Sequence, residues 1–183
     1  MAGSITVTPI PDGPRRRQQA STQLLHEYIS MMFAGSWTRY EMRLGPTVKT
    51  APGLTLTPQI EAMLRRSNRY ADAIVVTPVA IYIIEAKMVA VAGALAQLEE
   101  YYALAPLSPE LKPFLPRTIR MMLLVAVDDN YVHTAAELKG IEVVIFSPQW
   151  AADYVADKYM RPNRWRKKQG SNGNPDENAD TSG

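Results

Sequence analysis

Residues 72–87 read Asp72-Ala-Ile-Val-Val-Thr-Pro-Val-Ala-Ile-Tyr-Ile-Ile-Glu85-Ala-Lys87. Two apolar runs rich in Ile and Val, residues 71–77 and 80–88, meet at Pro78, and this pattern predicts a β-hairpin. Charge is costly to bury, so three charged residues punctuating such strands need a reason. A two-residue turn at Pro78-Val79 sets Thr77 against Ala80, Ile74 against Ile83 and Asp72 against Glu85. Directly opposed residues project to the same face, and Lys87, two residues past Glu85, points the same way. Proline at the first turn position is less favoured than Asn-Gly, but a register shift of two residues keeps the cluster.

Two carboxylates side by side repel each other, and a hard divalent cation removes that penalty. Mg²⁺ prefers oxygen ligands and keeps several waters, so Asp72, Glu85 and the main-chain carbonyl of Ala86 make a sufficient set, with Mn²⁺ as a substitute. A Lys87 ammonium beside the ion would hold or activate an attacking water, or offset charge growing on a phosphate. The bland alternative is a salt-bridged rim at the end of a sheet.

The rest of the chain alternates helical and strand patterns around this hairpin. Before it, a helix is expected from Ser21-Thr22, with Leu24, Leu25, Tyr28, Ile29 and Met32 at helical spacing and Gly35 beyond its end. A strand follows over 37–44, with Trp37, Arg39, Glu41 and Arg43 on one face, then a loop over 45–59 and a short helix over 60–66. After the hairpin come an Ala/Leu-rich helix over 89–105, a proline-rich loop over 106–116 and a buried strand over 119–127. A helix over 133–139, a strand over 141–146 and an amphipathic helix over 150–159 complete the pattern. Helices interleaved with strands predict an α/β fold, a mixed central sheet flanked by helices.

Three regions are expected: a flexible basic arm over 1–20, one domain over 21–160, and a disordered tail over 161–183, basic and then polar. The formal net charge of the 183-residue chain is +2, but its distribution is uneven. Between residues 18 and 160 there are twelve Lys/Arg against fourteen Asp/Glu, a net of −2. The basic character lies in Arg15–Arg17 and in Arg161, Arg164, Arg166, Lys167 and Lys168. Trp165, within the second group, is a candidate for stacking on a base. The absence of cysteine excludes disulfides, Cys-based zinc sites and Cys nucleophiles. Two histidines make a multi-histidine zinc site improbable. No secretory signal or membrane-length apolar run is visible, so a cytoplasmic protein with no membrane partner is expected.

With Asp72 on one strand and Glu85-Ala86-Lys87 on the next, the chain resembles the PD-(D/E)XK nuclease superfamily, the restriction-endonuclease-like fold. The resemblance covers roughly residues 21–146, and Ala71 stands where that family often has proline. Gln97-Leu-Glu-Glu-Tyr101 on the following helix looks like the Gln-x-x-x-Tyr motif of the RecB-like and lambda-exonuclease-like branch, and its i, i+4 spacing puts both side chains on one face. The resemblance implies that Gln97 and Tyr101 contact the DNA backbone, although Tyr101 in the core and Gln97 at the surface would fit the same spacing. It also implies one more acid from the first helix, for which Glu27 is the candidate. His26 is a possible further metal ligand and Glu41 a lesser alternative. Arg65, Arg66 and Arg69, just before Asp72, are candidates for binding phosphates or for a solvated face.

The resemblance thus implies a Mg²⁺-dependent deoxyribonuclease, endo or exo, that hydrolyses phosphodiesters by in-line attack of water. Catalysis would fall to Asp72, Glu85, Lys87 and Glu27. A phage or mobile-element recombination or repair role fits a chain of this size, and would place the protein in a host cytoplasm. Two other functions fit the same fold: a non-catalytic nucleic-acid-binding or virion structural protein, and a Holliday-junction resolvase-like homodimer. The second would need an interface, whereas the apolar stretch 121–127 reads more simply as core.

Overall fold

Apolar residues at helical spacing bury Leu24, Leu25, Tyr28 and Ile29 along one side of α1 (Pro14–Met32). In this computed structural model the described residues are 14–46, 57–58 and 69–159, with the side chains of 14–17 and 159 left aside. The helix starts at Pro14, inside the segment expected to be an arm, and not at Ser21-Thr22. Proline's fixed φ suits a first helical position, and the Arg, Gln and Ala that follow are good helix formers. Thr22 is a mid-helix residue whose hydroxyl donates to the Gln18 carbonyl at 2.8 Å. The helix expected over 60–66, Arg65, Arg66 and the tail over 161–183 lie outside the described residues.

Five strands form one sheet in the order β1 (Trp37–Leu44), β2 (Arg69–Val76), β3 (Ala80–Val89), β4 (Thr118–Val127) and β5 (Ile141–Ile145). The first two pairings are antiparallel and the last two parallel. Parallel neighbours need long crossovers. The crossover from β3 to β4 contains α2 (Ala92–Leu104), and that from β4 to β5 contains α3 (Asn130–Leu138). A last helix, α4 (Gln149–Tyr159), follows β5. The fold is therefore α/β, a mixed sheet with helices on both faces. The proline-rich stretch 106–116 is not a plain loop: it holds two 3-10 helices, Ala105–Leu107 and Pro109–Phe114, each with proline in its first turn.

One face of the sheet packs Ile74, Ile81, Ile83, Leu123 and Val125 against Leu95, Leu98 and Tyr101 of α2 and Val132 and Ala136 of α3. The other packs Ala73, Val75, Ile84, Met122 and Leu124 against α1 and against Ala151, Tyr154 and Val155 of α4. The strands β3 and β4 are thus covered on both sides, which explains their unbroken apolar runs. Residues 122–126 are core, and they offer no dimer face.

The hairpin register is the one the two-residue turn requires, with Ile74 opposite Ile83. Thr77 secures the turn. Its N–H donates to Ala80 O at 2.9 Å, and its hydroxyl accepts from Ala80 N and donates to Ala80 O, both at 3.1 Å. The side chain of Thr77 thus supplements a turn that proline does not favour.

The β2–β3 ladder stops at Ala73–Ile84, while β1–β2 pairing runs on to Leu44–Arg69 and β3–β4 pairing to Val89–Val127. The β1–β2 ribbon therefore parts from β3 at the level of Asp72 and Glu85. At the same level Glu41 has φ +47°, a left-handed conformation that costs a non-glycine residue about 1–2 kcal/mol. The simple alternation expected for β1 breaks there. Tyr40 stacks on His26 of α1, whereas Met42 and Leu44 join the core beside α2.

The far end of the ribbon is tied down by Ser108, which is fully buried. Its hydroxyl accepts from Gly45 N at 2.8 Å and donates to Leu104 O at 3.2 Å. Gly45 sits at φ +99°, where a Cβ would lie 3.4 Å from Leu104 Cδ2. Replacing Ser108 with Ala would strand the buried Gly45 N–H. We expect a loss of about 1–3 kcal/mol, read as a lower urea midpoint at unchanged slope. An unchanged midpoint would show that the ribbon is held by other contacts.

Candidate active site

Where the ribbon leaves β3, a cleft of about 650 Å³ opens between α1, β1, β2, β3 and α2. Its floor holds Asp72, Glu85, Ala86 and Lys87, and Gln97 and Tyr101 line it from α2. The hairpin thus brings its three charged residues to one place, as its register requires. Asp72 Oδ2 accepts the Ala86 N–H at 2.9 Å, so a side chain satisfies a backbone donor just beyond the last paired residues. Glu85 is only 2% exposed. One of its oxygens, Oε1, takes the Lys87 ammonium, and the other, Oε2, is buried with no hydrogen-bond partner among the described residues.

This setting favours the neutral forms of both acids. Burial, then the Asp72 carboxylate, pushes Glu85 up to about 7 against the restraining pull of Lys87. Burial also raises Asp72, an effect opposed by the Ala86 N–H and Lys87 and reinforced by Glu41. The Tyr101 phenol is held well above its usual range by burial and by Glu85 and Asp72, so it remains an O–H donor at neutral pH.

The Asp72 and Glu85 carboxylates, with the Ala86 main-chain carbonyl if it turns to them, would be a hard oxygen set of the kind that suits Mg²⁺, which commonly uses one or two carboxylates and retains waters. Among the described residues no group of three or more His, Asp or Glu side chains is placed to hold a metal ion. The acid expected from α1 does not join the site. Glu27 faces away, where its Oε2 accepts from Trp150 Nε1 at 2.8 Å and its Oε1 from Gln23 Nε2 at 3.0 Å. Successive helical residues point about 100° apart, and it is His26 that turns to the cleft, with its ring 4.2 Å from that of Tyr40. Glu41 also lines the cleft, re-aimed by its positive φ, a bend that strand periodicity does not reveal. Arg69 reaches across to α2, where Nε donates to both oxygens of Glu100 at 2.8 Å. Sequence periodicity also gave no sign of Tyr40 and Tyr70, two partly exposed rings on the cleft wall.

No family model matches the chain, and no curated protein matches it. Among solved structures, the crystal structure of a protein of unknown function is similar at TM-score 0.38 and 12% identity, over 68% of this chain. The chain spans 55% of the length of that protein.

The buried Glu85 makes the protein's stability depend on pH. An ordinary Glu ionises near 4.5, whereas folded Glu85 keeps its proton to about 7. The folded state thus binds the extra proton between these values. Stability is fully present below about 4.5 and is lost as pH rises through about 7, by on the order of 3 kcal/mol. Replacing Glu85 with Gln should remove that slope. The variant should melt near the wild-type temperature at pH 5 and above it at pH 8. Equal pH profiles for the two proteins would show that Glu85 ionises without cost.

Proposed function

We propose that the protein is a divalent-cation-dependent nuclease of the PD-(D/E)XK kind that hydrolyses phosphodiester bonds in DNA. The observation that carries this reading is the pairing of Asp72 with a buried Glu85 whose Oε2 has no partner, at the floor of an open cleft. Buried polar atoms are nearly always satisfied, and exceptions are often explained by function or an ion. Asp72, Glu85 and the Ala86 carbonyl would hold Mg²⁺ or Mn²⁺. When bound, the ion would make water a better nucleophile at neutral pH and draw charge from the phosphate.

The chain's own residues do the rest. Lys87, about a third exposed at its side chain, would place its ammonium beside the phosphate or the attacking water, where charge develops. Gln97 and the protonated Tyr101 would donate hydrogen bonds to the strand's phosphates from one face of α2. A role in recombination or repair, on a phage or mobile element, belongs to the same proposal. Two observations favour a second reading, a nucleic-acid-binding or virion protein that does not cut. Glu27 is turned away, and among the described residues no three-side-chain metal group forms.

Incubating the protein with linear, circular and branched DNA in Mg²⁺, Mn²⁺ or EDTA separates the two, since only a nuclease cuts in a metal-dependent way. Lys87→Ala should slow single-turnover cleavage about 100-fold or more, yet keep the rise in melting temperature that Mg²⁺ produces at pH 8. Asp72→Ala should lose both cleavage and that rise, because it removes a ligand. Cleavage by Lys87→Ala at the wild-type rate, or unchanged Mg²⁺ stabilisation of Asp72→Ala, would overturn these roles.

A further inference from the structure

The cleft does not end at the carboxylates. A second cavity of about 550 Å³ adjoins the first, sharing Gln18, Thr22, His26 and Glu41 with it and adding Gln19 and Gln23. The two together make a track that runs from Glu85 past the stacked rings of His26 and Tyr40 to the glutamine amides of α1. We infer that this track binds single-stranded nucleic acid by stacking its bases, which deepens the nuclease reading by naming its substrate class.

Three observations lead there. The first is shape. Each cavity has the volume of a small-molecule site, and α1 and α2 wall the cleft from opposite faces of the sheet. A space of that size takes roughly one or two nucleotides of a strand. The second is the aromatic lining. Tyr40 is 36% and Tyr70 42% exposed, and both line the cleft. Exposed rings along a groove give bases a stacking platform that tolerates any sequence. The third is charge. Among the described lining residues, Lys87 is the single Lys or Arg of the first cavity, and the second has none. Duplex binding rests chiefly on many phosphate contacts. With Glu41, Asp72 and Glu85 outnumbering that one ammonium, the rings and amides are what is left to hold bases, and phosphates would lie outside the track.

The test is equilibrium binding of the full chain, followed by fluorescence anisotropy in EDTA and in Ca²⁺. The probes are a labelled twelve-nucleotide oligothymidylate and a twelve-base-pair duplex. The single strand should bind at least 10-fold more tightly than the duplex. Tyr70→Ala and Tyr40→Ala should each weaken single-strand binding roughly 5- to 150-fold, the range seen for loss of one stacked base. Tyr70→Phe should bind as wild type, and Tyr70→Leu, which keeps apolar bulk on the strand but cannot stack, should be as weak as Ala. Equal affinity for strand and duplex, or Tyr variants with wild-type affinity, would overturn the track. The nuclease reading is judged separately. Tyrosine-dependent single-strand binding without any cutting in Mg²⁺ or Mn²⁺ would leave the track and remove the enzyme. Metal-dependent cutting of duplex, indifferent to Tyr40 and Tyr70, would do the reverse.

Discussion

The hydrogen bond from Ala86 N to Asp72 Oδ2 is the contact on which the cleft depends. Up to Ala73–Ile84 the hairpin is an ordinary ladder, and beyond it β2 follows β1 while β3 follows β4. A backbone donor left bare at such a fork would carry the full cost of desolvation. Asp72 meets that donor with a carboxylate, a stronger acceptor than a carbonyl, and so lets the strands part without an orphaned N–H. The same oxygen pair faces the space that the parting creates. One residue therefore ends the ladder and furnishes the site, and Asn or Ser could do the first task without the charge needed for the second.

Around that point the structure concentrates its unfavourable features. Glu41 holds a left-handed backbone, Glu85 is buried with one oxygen unpartnered, and two acids lie on adjacent strands. Each feature costs stability and none improves packing. Strained and unsatisfied residues persist where the surroundings over-determine them. Here the surroundings are the doubly covered β3 and β4 and the Ser108 tie between β1 and α2. The apolar centre of the sheet is indifferent to the cleft and can carry its costs, as expected if the cleft is kept for what it binds.

The hairpin was legible because two independent signals agreed: period-two apolar runs set the faces, and the short Pro78-Val79 gap set the register. The convergence of Asp72, Glu85 and Lys87 followed from arithmetic. The i, i+4 spacing of Gln97 and Tyr101 was legible in the same way. The other wall of the cleft was not. Which side of α1 meets the sheet depends on packing against β3 and α4, so Glu27 was a natural choice until Trp150, 123 residues away, was seen to hold it. Nothing in 37–44 marks the turn of Glu41, because a left-handed residue that is not glycine leaves no trace in composition. The Arg triplet looked like an arm because its charge spoke louder than its helix propensity.

Charge balance ties these parts together. Counted as ionised, Glu41, Asp72 and Glu85 set three negative charges around one Lys87 ammonium, a net of −2, with Glu85 buried and Glu41 exposed at the rim of the cleft. The folded chain relieves part of this by holding a proton on Glu85 to about pH 7. A divalent cation relieves it more fully, by neutralising both units while leaving every carboxylate ionised. Under the proposed reading, proton and cation would compete for the same oxygen, since a ligand must be deprotonated to bind. A lone Glu-x-Lys salt bridge on a sheet rim would need neither, because solvent would screen it. It is the burial of Glu85 opposite a second acid that sets this ion pair apart, and under the proposed nuclease reading a small hard cation would be the partner its free oxygen takes.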